Sequence, residues 1–186
     1  MRVKLAAVIC ILCLLCGCGS RSDSLKNGMN LRRQLLESSG CSFHGTVTAD
    51  YGEKIYVFEM DCKVDREGSL QFTVTSPDTI AGITGKIDSE GGAITFDDKV
   101  LAFQTLADGQ VTPVTAPWLL IKTLRSGYIR DSVDTDDGFE VSIDDSYQDD
   151  ALRLNITVKN GVPASGEIFW QGRRVLTIAV EDFVYL

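Results

Sequence analysis

Cys41, Phe43, Gly45, Val47 and Ala49 alternate with Ser42, His44, Thr46 and Thr48, and a period of two suits only a β-strand with one covered face. A second run answers it. Tyr56, Phe58, Met60 and Cys62 are interleaved with Ile55, Val57, Glu59 and Asp61, so residues 41–62 read as an antiparallel hairpin covering a core on one side. The signal then returns at short spacing. Ser69 to Thr75 follows the turn Asp65 to Gly68, and Ile83 to Ile87, Ala93 to Asp97 and Lys99 to Phe103 come next. Phe139 to Ile143, Leu152 to Lys159, Glu167 to Gln171 and Arg174 to Val184 complete the series, with Ser76-Pro77, Asn160-Gly161 and Gln171-Gly172 as breaks or turns. About nine to eleven strands are expected.

Two helices account for most of the remainder. Ser24 to Ser38 places Leu25, Met29 and Leu36 on one line with Leu31 and Leu35 beside them, while Arg32 interrupts the stripe and Gly28 borders it. Gly40 stops this helix ahead of the first strand. The second helix takes Thr115 as its cap and Pro117 in its first turn, and runs through Trp118, Leu119, Leu120, Ile121 and Leu124 to Gly127. It is apolar on most sides, which predicts deep packing.

The amino terminus obeys a different logic. Arg2 and Lys4 precede an apolar run of twelve residues, Leu5 to Cys16, too short to span a bilayer as a helix. Gly17 stands before Cys18 and Leu15 three residues before it, which resembles the bacterial lipobox. That resemblance implies cleavage before Cys18 and a diacylglycerol, with its palmitate-type chains, on the Cys18 thiol; an ordinary secretory signal is the alternative. The expected organisation is a signal peptide over 1–17, a lipidated cysteine and tether over 18–24, and one β-rich domain over 25–186. Loss of Arg2 and Lys4 takes the formal charge from −8 to −10, so the domain is a poor nucleic-acid partner and its net charge does not draw it to an anionic lipid surface. Attachment to the cell membrane, facing outside the cytoplasm, is therefore assigned to the lipid.

Of six cysteines, Cys10, Cys13 and Cys16 leave with the signal peptide and Cys18 is acylated, which leaves Cys41 and Cys62. If Tyr51 and Gly52 form the hairpin loop, Cys41 faces Cys62 at a non-hydrogen-bonded pair, where side chains approach most closely. A disulfide there is expected in an oxidising compartment, against two buried free thiols.

A helix, a long antiparallel sheet, an apolar helix in the middle and then more sheet resembles the LolA/LolB lipoprotein-carrier superfamily. Thr75-Ser76-Pro77-Asp78-Thr79-Ile80-Ala81-Gly82 is similar to the Ser-Pro-Glu segment of sporulation and germination lipoproteins such as GerS. The resemblance implies an α+β fold, mainly antiparallel β, in which a curved incomplete barrel wraps a central helix. It also implies a protein partner in the cell envelope, or an acyl-chain ligand on the concave face.

Chemistry-bearing motifs are few. His44, the sole histidine, differs in parity from Cys41, so the two point to opposite faces and form no dyad. Gly91-Gly92 and Gly82 to Gly85 lack the strand-to-helix setting of a phosphate loop. Asp131, Asp134, Asp136, Asp137, Asp144, Asp145, Asp149 and Asp150 offer oxygens of the kind calcium takes, but a calcium loop with Gly138 sixth puts Val133 first and Thr135 third. These acids read as a solvated loop pair; no metal and no cofactor is expected. Trp118, Leu119, Ile121, Leu124 and Tyr128 are the candidate ligand or lid residues, with the helix read first as a plug in the half-barrel. The leading function is a non-catalytic, membrane-anchored envelope lipoprotein acting as an adaptor for a protein partner. Acyl-chain binding or transfer is the alternative, and an envelope-polymer hydrolase the third.

Overall fold

The computed structural model describes residues 21–89, 91–96, 99–100 and 106–186. The proposed lipidation site Cys18 and the end of the expected strand Lys99 to Phe103 lie outside them. Helix α1 spans Arg21–Glu37, starting before the expected Ser24. Six strands follow: β1 (Gly40–Asp50), β2 (Ile55–Asp65), β3 (Leu70–Ser76), β4 (Thr84–Asp88), β5 (Gly91–Phe96) and β6 (Lys99–Val100). A 3-10 turn, Pro113–Thr115, enters helix α2 (Ala116–Ser126), and five more strands complete the chain. These are β7 (Tyr128–Thr135), β8 (Gly138–Asp144), β9 (Arg153–Lys159), β10 (Val162–Trp170) and β11 (Arg173–Tyr185).

All eleven strands form one antiparallel sheet in the order β6-β5-β4-β3-β2-β1-β11-β10-β9-β8-β7. The arrangement is two meanders joined where the last strand returns beside the first, with His44 opposite Glu181 and Val47 opposite Ile178. The carboxyl end is sewn to the start of β1, since Leu186 N donates to Gly40 O at 2.9 Å and Ser39 N donates to Leu186 O at 3.0 Å. As β6 and β7 stand at opposite ends of the order, the sheet stays open. One face is apolar and shared: Val47 and Ala49 of β1, Met60 of β2, Val74 of β3, Ile143 of β8, Ile156 of β9 and Ile168 of β10 belong to a single buried cluster.

α2 fills that face as its sequence predicts. Thr115 stands at its N-terminal boundary, with its hydroxyl bonded to Thr112 rather than to the helix, Pro117 lies in its first turn and Gly127 ends it. Leu119, Leu120, Ile121 and Leu124 are all buried, Leu120 completely. Leu120 reaches the sheet where β10 has Gly166, at which an added Cβ would stand 3.0 Å from Leu120 Cδ1. A larger residue there would force the helix outward. The C-terminal carbonyls of α2 lack helical partners, and Arg32 of α1 supplies them: Nε donates to Leu124 O and Nη2 to Gly127 O, both at 2.7 Å. Arg32, which interrupts the apolar stripe in sequence, is thus the clamp between the two helices.

Two expectations need correction. The hairpin turn is Gly52-Glu53, one residue beyond the expected Tyr51-Gly52, because Asp50 pairs with Ile55 and Tyr51 N donates to Lys54 O. Gly52 takes φ +88°, as the first central residue of a primed turn requires, and its N–H is held by Asp50 Oδ1 at 2.7 Å. Moving the turn by one residue moves every pair by two, so Cys41 faces Val64 and Cys62 faces Phe43. The expected Cys41–Cys62 disulfide is absent, and both are buried free thiols. They are diagonal neighbours, about 7–8 Å apart in a regular ladder and outside disulfide reach. The second correction is β7, a strand where the sequence predicts part of an acidic loop pair. Within it only Ser132 is fully buried, so the alternation that marks the other strands is missing.

Replacing Arg32 with Ala leaves two carbonyls of α2 without their charged donor. The expected cost is about 2 kcal/mol of unfolding free energy, read as a lower denaturation midpoint with unchanged far-ultraviolet dichroism.

Candidate functional site

α2 has one side that the core does not take. Trp118 is half-buried, Lys122 and Ser126 are exposed, and Arg125 lies between. With Leu36 of α1, the β2–β3 turn and Lys86 and Asp88 of β4, these side chains line a cleft of ≈ 680 Å³ at the mouth of the half-barrel. Two hydrogen bonds close its floor. Trp118 Nε1 donates to Gly68 O at 3.2 Å, and Arg125 Nη2 donates to Arg66 O at 2.6 Å. Lys122 Nζ stands 4.8 Å from the Trp118 ring centroid, a cation–π distance that holds the ammonium over the indole face. Ser69 is 7% exposed and its hydroxyl has no hydrogen-bond partner among the described residues. Asp65, Glu67 and Asp88 set three carboxylates against Lys86, Lys122 and Arg125. The cleft is therefore mixed in polarity, balanced in charge and floored by one aromatic ring. Such a lining suits a peptide segment with mixed side chains better than a bare hydrocarbon chain.

The five candidate ligand or lid residues separate. Leu119, Ile121 and Leu124 belong to the core and face no open space. Trp118 lies in the cleft. Tyr128 opens β7 elsewhere, packs its ring against Tyr147 and borders a smaller depression of ≈ 290 Å³ with Arg130, Asp144 and Arg153. Sequence reasoning missed Ser69, Lys86 and the β2–β3 turn as cleft residues. No local signal marks them, because the strand pairing that gathers them spans distant segments.

The acidic residues are distributed among structural partners. Asp144, 8% exposed, sits between Arg153 Nε at 2.8 Å and Arg130 Nη1 at 3.3 Å. The Lys159 ammonium lies 2.7 Å from Asp137, and its hydrogen bond holds that carboxyl below the usual range. Asp145 Oδ1 accepts from Leu152 N at 2.9 Å. Asp131 and Asp134 belong to β7 rather than a loop.

Neither thiol is an activated nucleophile. Burial pushes the Cys41 thiol up to about 12, against a weaker opposing effect of Arg125, and burial pushes Cys62 further still. His44 lies on the outer face with Nδ1 at 2.8 Å from Asp61 Oδ1 and Nε2 at 3.7 Å from Glu59 Oε2. The hydrogen bond with Asp61 raises its pKa above the ordinary imidazole value, and Asp61, Glu59 and Glu181 add charge of the same effect.

No protein-family model matches the sequence, and neither does any curated protein. Among solved structures, the chain is similar to a LolA superfamily protein from Nitrosomonas europaea, with 9% identity over 90% of this chain and 94% of that one, at a TM-score of 0.44. It is also similar to LprF from Mycobacterium bovis, with 11% identity over 89% and 95% of the chains and a TM-score of 0.47. A putative outer membrane lipoprotein-sorting protein domain from Vibrio parahaemolyticus gives 8% identity, 88% and 92% coverage and a TM-score of 0.46. With TM-scores under one half, the functional reading rests on the residues of this chain.

Two measurements check the site chemistry. Alkylation in denaturant without reductant should label both Cys41 and Cys62, whereas folded protein should resist label at both; protection from alkylation in denaturant would restore the disulfide. The lone His44 ring, followed by NMR, should titrate above the ordinary imidazole value, and Asp61→Asn should lower it. Because the folded pKa is raised, the stability His44 contributes is fully present below its unfolded pKa and is lost as pH rises through the folded one.

Proposed function

We propose that the chain is a non-catalytic envelope lipoprotein, anchored through a diacylglycerol on Cys18, that acts as an adaptor by holding a segment of a protein partner in the cleft beside Trp118 and Lys122. The observation that carries this reading is the fully packed apolar side of α2. Leu119, Leu120, Ile121 and Leu124 are buried in the core, so the open space beside the helix is the charged, mixed-polarity mouth and not an apolar tunnel. Lys122 is exposed and offers its charge without a structural task in the core. Buried, protonated thiols and a histidine committed to Asp61 and Glu59 support a binding role over catalysis. The likeness of Thr75 to Gly82 to the Ser-Pro-Glu segment of GerS-like lipoproteins supports a protein partner in the envelope.

Native mass spectrometry of the protein, extracted from membranes in mild detergent, tests it. A stoichiometric protein complex is expected, and Lys122→Glu should weaken it about tenfold, near the loss of one charge contact of 1.4 kcal/mol. A lipid-sized mass bound in addition to the covalent anchor, with no protein attached, would overturn the adaptor and leave the acyl-chain reading.

A further inference from the structure

α1 has two apolar lines, and the fold uses only one. Leu31 and Leu35 are buried, and Gly28 brings the helix against the sheet, where an added Cβ would lie 3.3 Å from Val141 Cγ2. Leu25, Met29 and Leu36 remain 44%, 53% and 47% exposed. At 100° per residue these three lie within about 40° of one another, so they form a continuous ridge along the helix. Lys26 and Arg33, both exposed, stand about 70° further round on its outer border. On the inner border Arg32 is held by α2. An exposed apolar line with a basic flank can enter the headgroup region of a lipid interface.

Charge and position say what covers the ridge. The whole chain carries a formal charge of −8, yet the sequence of α1 has Arg21, Lys26, Arg32 and Arg33 against Asp23 and Glu37. With Arg32 committed to α2, Lys26 and Arg33 are the exposed cations beside the ridge. Only Gly19 and Ser20 separate Cys18 from Arg21, so an anchor on Cys18 would hold the start of α1 within about 10 Å of the lipid glycerol. No described helix is long and apolar enough to cross a membrane.

We propose that the exposed ridge of α1, Leu25, Met29 and Leu36 with Lys26 and Arg33 beside it, docks into the headgroup region of an anionic phospholipid membrane and fixes the orientation of the domain on it. This inference rests on the Cys18 anchor, and it adds a second membrane contact made by the folded chain itself. It also sets the geometry of the cleft. Leu36 belongs to both the ridge and the cleft wall, so a docked α1 holds the mouth containing Trp118 and Lys122 beside the bilayer. A partner reached there would itself be at the membrane surface.

The test uses the full chain, extracted from membranes and reconstituted in vesicles of equal parts phosphatidylglycerol and phosphatidylcholine. A diazirine-bearing amino acid replaces Met29, or, as the control, Thr46 on the outer face of β1; both replacements leave the core intact. After illumination, phospholipid adducts on the peptide containing position 29 should be about fivefold more frequent than on the one containing position 46. The added pair Leu25→Asp and Leu36→Asp, both at exposed positions, should abolish that excess. Equal adduct frequencies at 29 and 46, or an excess untouched by the aspartates, would overturn the docking. The mass of the N-terminal peptide reports separately on Cys18. A diacylglyceryl mass there with no excess at position 29 sinks the docking and spares the anchor. An unmodified Cys18 sinks the anchor, and position 29 still decides whether α1 meets lipid.

Discussion

An open antiparallel sheet with one apolar face has to cover that face, and in this protein one eleven-residue helix meets most of the requirement. α2 lies against β8, β10 and β11, with Leu120 seated at Gly166 and Leu124 under the Arg32 clamp. A helix end inside a protein exposes carbonyls that cost free energy unless they are bonded. Here a guanidinium from the other helix meets them, which couples the position of α1 to that of α2. The helix at the outer surface and the helix in the core are therefore one mechanical unit.

The seam between β1 and β11 is the second condition. It brings the two ends of the domain together, with Leu186 bonded to Gly40 and Ser39 just after α1. Because the two meanders grow away from this seam, the sheet is longest across and open at its ends. The mouth that results is lined by elements distant in sequence: a helix end, a turn and the fourth strand. A site assembled in this way is positioned by the sheet pairing as a whole and not by one loop.

The chemistry of the mouth and the interior differ because the core has already used the apolar side chains. Trp118 shows the boundary within a single residue: its ring floors the cleft while its N–H bonds a turn carbonyl. The charged groups around it are paired or balanced, a pattern that favours selective contact over strong nonspecific attraction. The outer face, with His44 between carboxylates, and the apolar ridge of α1, with Lys26 and Arg33 beside it, give the domain two chemically different surfaces.

Much of this was legible from residues alone. The bounds of α2 follow from Thr115, Pro117 and Gly127; the turns at Asn160-Gly161 and Gln171-Gly172 take positive φ, which Asn160 and the two glycines suit; and the faces of β1 and β2 follow from parity. Those features depend on local backbone chemistry, which a sequence carries directly. The pairing of Cys41 did not follow, because a turn displaced by one residue preserves the faces and changes every partner. Nor did β7, an edge strand whose polar positions hide its period, or the role of Arg32, which reads as an interruption until α2 is beside it. Register, edge strands, the clamp and the cleft depend on contacts between segments far apart in the chain, and only the folded sheet brings those segments together.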